Sequence, residues 1–174
     1  SFCAVCDGAF YASQDVAMIG GGNSALQEAL LLSEVCKKVT IVQNLAFLTG
    51  EQKLADALAE KDNVNILYST VVSAYEEDGG ALKGLHLHND ATGEDSYLPV
   101  DGAFLAVGLV PENDAFAHLA GLNDWGYFDS AEDCCTKTPG VFVAGDCRSK
   151  RIRQVVTASA DGAIAAMAAC RYLD

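Results

Sequence analysis

The sequence is poor in proline and in basic residues: 3 prolines stand against 16 glycines, and 11 Lys and Arg against 24 Asp and Glu, in 174 residues. With hydrophobic residues at 51% and no biased tract, a disordered, collagen-like or low-complexity chain is excluded. A net charge of −13, with no basic cluster beyond Arg148 to Arg153, repels nucleic acid. No apolar run reaches the roughly 18 residues that a membrane span needs, and the most apolar stretch, Ala158 to Cys170, is broken by Asp161. Only Met18 and Met167 are methionines, and no basic-then-apolar leader follows Ser1, as expected of a processed start or of a piece of a longer chain. Seven cysteines, an odd number in a chain able to bury a core, suit a reducing compartment, so the expected location is the cytoplasm.

What is present reads first as organisation. Asp15 to Ile19 is a short apolar run ending in Gly20-Gly21-Gly22, and Asn23 to Cys36 places Ala25, Leu26, Ala29, Leu30 and Leu32 at helical spacing. Val39 to Val42 restarts a β-branched run, so residues 15–42 make a βαβ unit and imply a parallel sheet. A helix is expected over Glu51 to Lys61 and a strand over Val64 to Leu67. After Val72 the period becomes two: Leu85 and Leu87 alternate with His86 and His88, a turn follows over Asn89 to Gly93, and Tyr97 to Val100 resumes, which predicts an antiparallel hairpin with the histidines on a solvated face. Ala103 to Val107 predicts one more buried strand. Beyond Gly108 the signals thin to an isolated buried strand, Val141 to Ala144, and an Ala-rich amphipathic helix, Gln154 to Leu173. One strand and one long helix do not cover each other's apolar faces, so residues 109–174 are expected to be part of a domain whose other half is missing.

Three segments carry chemistry. Cys3-Ala-Val-Cys6 at a helix start brings two sulfurs within bonding range and favours reversible dithiol–disulfide exchange, with Asp7 placed to move a proton. The other readings of this pair are a zinc half-site, which would want a second pair at similar spacing where Cys134 and Cys135 are vicinal, and plain buried thiols. Cys36, Cys147 and Cys170 are expected to be small core hydrophobes. Gly20-x-Gly22-x-x-Ala25, with a strand before it and a helix after it, has the context of a dinucleotide site, in which the glycines admit the backbone to a pyrophosphate at a helix N-terminus. About twenty residues on, where an acid would bind ribose or arginines a 2′-phosphate, stand Gln43 and Asn44; Gln43 could bond ribose hydroxyls. Thr138 to Asp146 ends a strand at Gly145, followed by a carboxylate able to bond sugar or ribityl hydroxyls, or else forms an ordinary capped turn. Trp125 and Tyr127 read as surface-loop anchors.

In order, SFCAVCDG, VAMIGGGNSALQEALLLS, GAFLAVGLVPEN, TPGVFVAGDCR and RQVVTASADGAIAA resemble the low-molecular-weight thioredoxin reductases, which are flavoprotein disulfide reductases, along the whole chain. The resemblance implies an α/β fold. Residues 1–108 would be a Rossmann-like pyridine-nucleotide-binding domain with a parallel sheet and an antiparallel hairpin, carrying the C-x-x-C, and residues 109–174 the C-terminal segment of an FAD-binding domain whose N-terminal half is absent. It implies that Cys3 attacks a partner disulfide, that Cys6 faces the flavin and that Asp7 is the acid. Gly20, Gly21, Gly22, Asn23, Ser24 and Ala25 would hold the nucleotide, with Gln43 beside it, and Gly145, Asp146, Arg153, Gln154 and Val155 would contact FAD. The complete protein, a homodimer, would draw electrons from NADH or NADPH and pass them to a thioredoxin-like protein; the isolated chain would be inactive. The family's His-Arg-Arg after the second strand is here Gln43-Asn44-Leu45, its first Glu in the glycine helix is Gln27, and Ala160 replaces a usual glycine. Two other readings stand beside this one: an NADH- or ferredoxin-linked reductase of a peroxiredoxin-type partner, and a catalytically incomplete nucleotide-binding module.

Overall fold

In the computed structural model, which describes all residues 1–174, the β-branched and apolar runs of the first hundred residues become strands where they can be buried on two faces. β1 (Asp15–Ile19), β2 (Lys38–Val42), β3 (Val64–Leu67) and β7 (Gly102–Leu105) form a parallel sheet in the order β3-β2-β1-β7, with Met18 opposite both Ile41 and Phe104. Short α1 (Ala4–Asp7) runs into a 3-10 turn (Gly8–Tyr11), while α2 (Asn23–Val35) and α3 (Gln52–Ala59) are the crossovers. A second, antiparallel sheet joins β4 (Thr70–Asp78), β5 (Ala81–Asn89) and β6 (Glu94–Pro99) in chain order.

Side-chain alternation along the strands sorts the core into two layers. Val16, Met18, Val39, Ile41 and Phe104 meet Ala25, Leu26, Ala29 and Leu32 of α2, Leu58 of α3 and Ala4 of α1. Tyr11 sets its ring edge-on to Phe104 at 5.4 Å between centroids. On the opposite face Ala17 and Val42 meet Leu85, Leu87 and Val100. Each fully buried Leu, Met or Phe contributes about 1.5–3 kcal/mol relative to exposure.

The structure adds one strand and corrects one expectation. The predicted hairpin is present as β5–β6, and Thr70–Asp78, entered from the parallel sheet and joined to β5 through Gly79-Gly80, extends it to a three-stranded sheet. Both of those glycines have positive φ, +61° and +83°, the backbone a two-residue hairpin turn requires. Most of β4 is exposed, which hid it from a reading keyed to burial. The correction is that Val141 to Ala144 is neither a strand nor buried: it makes one bridge, Cys135 to Phe142, and is half-exposed. Its neighbour is the irregular segment 134–136, which bonds it through Val143 N to Cys134 O and Thr136 N to Val141 O without building a ladder.

The chain divides into two compact units, Ser1–Gly108 and Leu109–Asp174. The second holds little regular structure besides α4 (Val155–Leu173). Its buried residues are few and half of them polar: Ala120, Phe128 and Cys134 beside Asn113, Arg148 and Asp161. Cys170, expected in a core, is exposed because only Asp161 of α4 is buried; Cys147 is half-buried, and Cys36 alone of the three is buried in a core. No helix is long and apolar enough to cross a membrane.

Candidate functional site

Cys3 and Cys6 are joined by a disulfide, with Cα atoms 5.3 Å apart, inside the range a disulfide spans without backbone movement. The local sequence builds this turn from hydrogen bonds. Cys3 is extended and caps α1, its carbonyl accepting from the N–H groups of Cys6 (3.2 Å) and Asp7 (3.1 Å), and its Sγ accepting from Cys6 N (3.1 Å). Because α1 is a single turn, the field of its N-terminus is small, and the one donor directed at the Cys3 sulfur is the Cys6 N–H.

Ser1 pairs with β7, its carbonyl accepting from Leu105 N at 2.9 Å, and its Oγ donates to Asp7 Oδ2 at 2.6 Å. From the opposite element, Glu28 of α2 accepts the Ala4 N–H at 3.1 Å. Ala4 is 2% exposed, and Leu32 of the same helix lies against Gly8. The disulfide turn is thus seated on α2, with Cys6 exposed and Cys3 half-buried. Nothing in the sequence pattern singled out Glu28; its one legible signal is its place beside the buried stripe Ala25, Ala29 and Leu32.

The same helix begins at the glycine turn. Gly20 has φ +128°, and a Cβ there would lie 2.4 Å from the Ala106 carbonyl oxygen, so the β1–α2 connection passes β7 at a distance only glycine allows. Gly22 is extended and caps α2 without a side-chain bond, so the first-turn N–H groups of Asn23, Ser24 and Ala25 have no acceptor within the helix. Asn23 also ties the turn to the start of α3, its Oδ1 accepting from Glu51 N at 2.7 Å. Gln43, the candidate for ribose hydroxyls, is 3% exposed, and its Nε2 donates to the Phe47 carbonyl at 2.9 Å. Its amide lies where a Gly21 Cβ would be, 2.5 Å away. Thr49 and Gly50 both donate to the Gly21 carbonyl, at 2.9 and 3.0 Å. Gln43 therefore braces the glycine turn, and the side chains left exposed beyond it, Asn44 and Leu45, are uncharged.

In the second unit the structure brings together Gly145, Asp146, Arg153, Gln154 and Val155. Gly145, with φ +82°, turns the chain beside Ala158; Arg153 Nε donates to the Asp146 carbonyl at 3.3 Å, and its guanidinium lies 4.0 Å over the Tyr127 ring. Gln154 and Thr157 form a capping box at the start of α4. The carboxylate of Asp146 and the side chain of Val155 are exposed. Beneath this turn lies a cluster the sequence reading treated only as an interruption: Asp161 accepts from Gly145 N (3.0 Å), Lys150 Nζ (2.7 Å) and Arg148 Nη1 (3.3 Å). Arg148 reaches on to Ser130 Oγ and the Ala131 carbonyl.

The remaining candidates resolve simply. Burial pushes the thiols of Cys36, Cys134 and Cys135 up, with Asp133 adding to the effect at Cys135, so these free cysteines are poor nucleophiles. His86 pairs with Glu76 and His88 with Asp95 on the outer sheet, and Trp125 is exposed.

The model of the pyridine nucleotide-disulphide oxidoreductase family matches residues 1–162. The thioredoxin reductase of Listeria monocytogenes is 40% identical over all of this chain and 54% of that protein. The thioredoxin reductase of Bacillus subtilis is 36% identical over all of this chain and 55% of that protein. The crystal structure of thioredoxin reductase from Streptococcus pyogenes superposes with a TM-score of 0.91 at 35% identity, over 99% of this chain and 56% of that one. The chain spans about half the length of the curated relatives it matches.

The Asp161 cluster carries a pH dependence. The Lys150 hydrogen bond, together with Gly145 N–H and Arg148, holds the Asp161 carboxyl below its ordinary 3.8 against the opposing effect of burial. A carboxyl depressed on folding stabilises the fold fully above its ordinary value and loses that stabilisation as pH falls through the folded one. Asp161→Asn should lower the urea stability of the second unit by about 2 kcal/mol at pH 7, read by the loss of α4 helicity in far-UV circular dichroism. The gap should narrow as pH falls below 3.8; equal midpoints at pH 7, or a gap that does not change with pH, would contradict the assignment.

Proposed function

The chain belongs to the pyridine nucleotide-disulphide oxidoreductase family, and from that premise we propose that it supplies the nucleotide-binding and disulfide-bearing part of a thioredoxin reductase-type flavoprotein. The observation that carries this reading is the Cys3–Cys6 disulfide seated on the helix that opens at the glycine turn. Residues 1–108 would be the nucleotide domain and residues 109–174 the C-terminal segment of the flavin domain. The relatives' names support thioredoxin as the kind of partner. A homodimer in the cytoplasm completes the proposal; its support is the five free cysteines and the exposed apolar residues of α4, among them Val155, Val156 and Leu173.

The second unit fits part of an FAD site. The Gly145 turn leaves an exposed carboxylate at Asp146 suited to ribityl or ribose hydroxyls, next to a capped helix start, and Gly145, Asp146, Arg153, Gln154 and Val155 would line it. FAD there would supply two-electron reduction of the protein disulfide. In the exchange that follows, Cys3 as thiolate attacks one sulfur of the partner disulfide, forming a mixed disulfide and releasing the other partner sulfur as a thiolate. Cys6 then attacks Cys3 Sγ, re-forming the Cys3–Cys6 bond and releasing the second partner thiol. Two electrons pass to the partner; the Cys6 thiol gives up one proton, with Asp7 as the relay, and the second proton comes from solvent, which took it when Cys3 ionised. The Cys6 N–H directed at Cys3 Sγ supports Cys3 as the thiolate, since a donor to the charged form lowers a thiol's pKa.

The nucleotide end supports a donor without a 2′-phosphate requirement, which is the observation that favours an NADH-linked relative as the second reading. Two arginines would offer charge-assisted, bidentate bonds, whereas Gln43 is committed to the loop and Asn44 and Leu45 are neutral.

Two outcomes test these assignments. In the complete flavoprotein, stopped-flow flavin reduction should proceed at comparable rates with NADPH and NADH, and Asn44→Arg with Leu45→Arg should create an NADPH preference. A large NADPH preference in the unaltered protein would sink the donor assignment, and reduction by ferredoxin alone would replace it. Cys6→Ser should trap a thioredoxin-like protein covalently on Cys3, visible as a reductant-sensitive adduct by mass spectrometry. Trapping by Cys3→Ser instead would reverse the two roles.

A further inference from the structure

We propose that Glu28 is a positioning residue for the redox pair, setting the dithiol–disulfide equilibrium of Cys3 and Cys6 from the nucleotide-binding helix. The inference builds on the disulfide-reductase reading and names the residue that tunes it. Its basis is one contact and its surroundings. Glu28 Oε2 accepts the N–H of Ala4, the residue bonded to Cys3, at 3.1 Å. Ala4 is buried and packs in the same core cluster as Ala25, Ala29 and Leu32 of α2, so a polar N–H at this position needs a partner from the protein. Glu28 is half-buried. It meets a different backbone position from Asp7, which follows Cys6 and is held by the Ser1 hydroxyl.

The consequence follows from charge. A carboxylate held one peptide bond from Cys3 repels a thiolate on the opened pair and leaves the neutral disulfide untouched. It therefore disfavours the reduced form and makes the pair more strongly reducing; a redox protein whose reduced form is stabilised is the more oxidising one. Removing the charge while keeping the acceptor should shift the equilibrium toward dithiol. Reduction by dithiothreitol breaks the Cys3–Cys6 bond and forms the cyclic disulfide of the reagent. Two electrons and two protons move from the reagent to the cysteines, and a proton goes to solvent wherever a cysteine remains as thiolate.

The experiment is a redox titration of the 174-residue chain in buffers of reduced and oxidised dithiothreitol at pH 7, quenched by alkylation and read by mass at Cys3 and Cys6. Glu28→Gln keeps an oxygen able to accept from Ala4 and loses the charge. It should favour the dithiol, by up to about fivefold where Cys3 of the opened pair is ionised and by less where it is protonated; this is the scale of carboxylate–thiolate repulsion over several ångströms at a partly screened site and is equivalent to at most about 20 mV for a two-electron couple. Alkylation of Cys3 below pH 8 should also be faster in the variant, reporting a lower thiol pKa. Glu34→Gln on the same helix, whose carboxylate is exposed and paired with Lys61, should leave both readouts at the wild-type value. An unchanged equilibrium in Glu28→Gln overturns the proposal, as does an equal shift in Glu34→Gln, which would assign the effect to overall charge. A wild-type pair that stays reduced, or stays oxidised, across the whole buffer range overturns the disulfide-reductase reading itself, and this one with it.

Discussion

The burial of one face of α2 against the parallel sheet is the constraint on which the first unit depends. Thirteen residues long, this helix places Ala25, Leu26, Ala29 and Leu32 wholly out of solvent. That burial fixes both of its working ends. At its start, Ala25 packs against the position a Gly20 Cβ would take, so the strand-to-helix turn closes tightly and its first N–H groups face outward. Along its length, Leu32 lies against Gly8 and Glu28 against the Ala4 N–H, so the disulfide turn is held to the element that would hold the nucleotide. A change in the helix's position would be felt at both.

The second unit is organised by electrostatics in place of an apolar layer. With three buried hydrophobic residues, it has too little apolar burial to order the Gly145 turn that way. Asp161 does this instead, drawing Gly145, Arg148 and Lys150 onto one carboxylate. Such a cluster is costly to assemble and more costly to break, because removing one partner leaves the others without theirs. It supplies position in exchange, and the position it sets is that of the turn carrying Asp146.

Much of this was legible in the sequence, and the parts that were not share a cause. The βαβ unit showed itself because a two-sided burial leaves continuous apolar runs, as in Val39 to Val42, and because helix and strand differ in period. β4 escaped because Glu76, Glu77 and Asp78 are exposed, although Gly79-Gly80 marked its turn. Val141 to Ala144 has the composition of a strand, yet a ladder needs a regular neighbour, and the segment 134–136 beside it is irregular. The burial of Gln43 was not legible, because the absence of a side chain at Gly21, twenty-two residues earlier, is what opens the space it fills. Asp161 read as a flaw in an apolar helix, since its cationic partners lie eleven and thirteen residues before it. Local pattern reports burial and period; it does not report which distant group a polar side chain will meet.

The central claim is that Cys3 and Cys6, alone among the seven cysteines, form the chain's reversible redox pair. It is tested most directly by peptide mapping of the chain unfolded and alkylated first without reductant and then after mild reduction. The account expects Cys3 and Cys6 unlabelled and linked to each other in the first sample and labelled in the second, with Cys36, Cys134, Cys135, Cys147 and Cys170 labelled in both. Cys3 and Cys6 labelled before reduction, zinc bound stoichiometrically at the pair, or a Cys134–Cys135 bond in its place would contradict it.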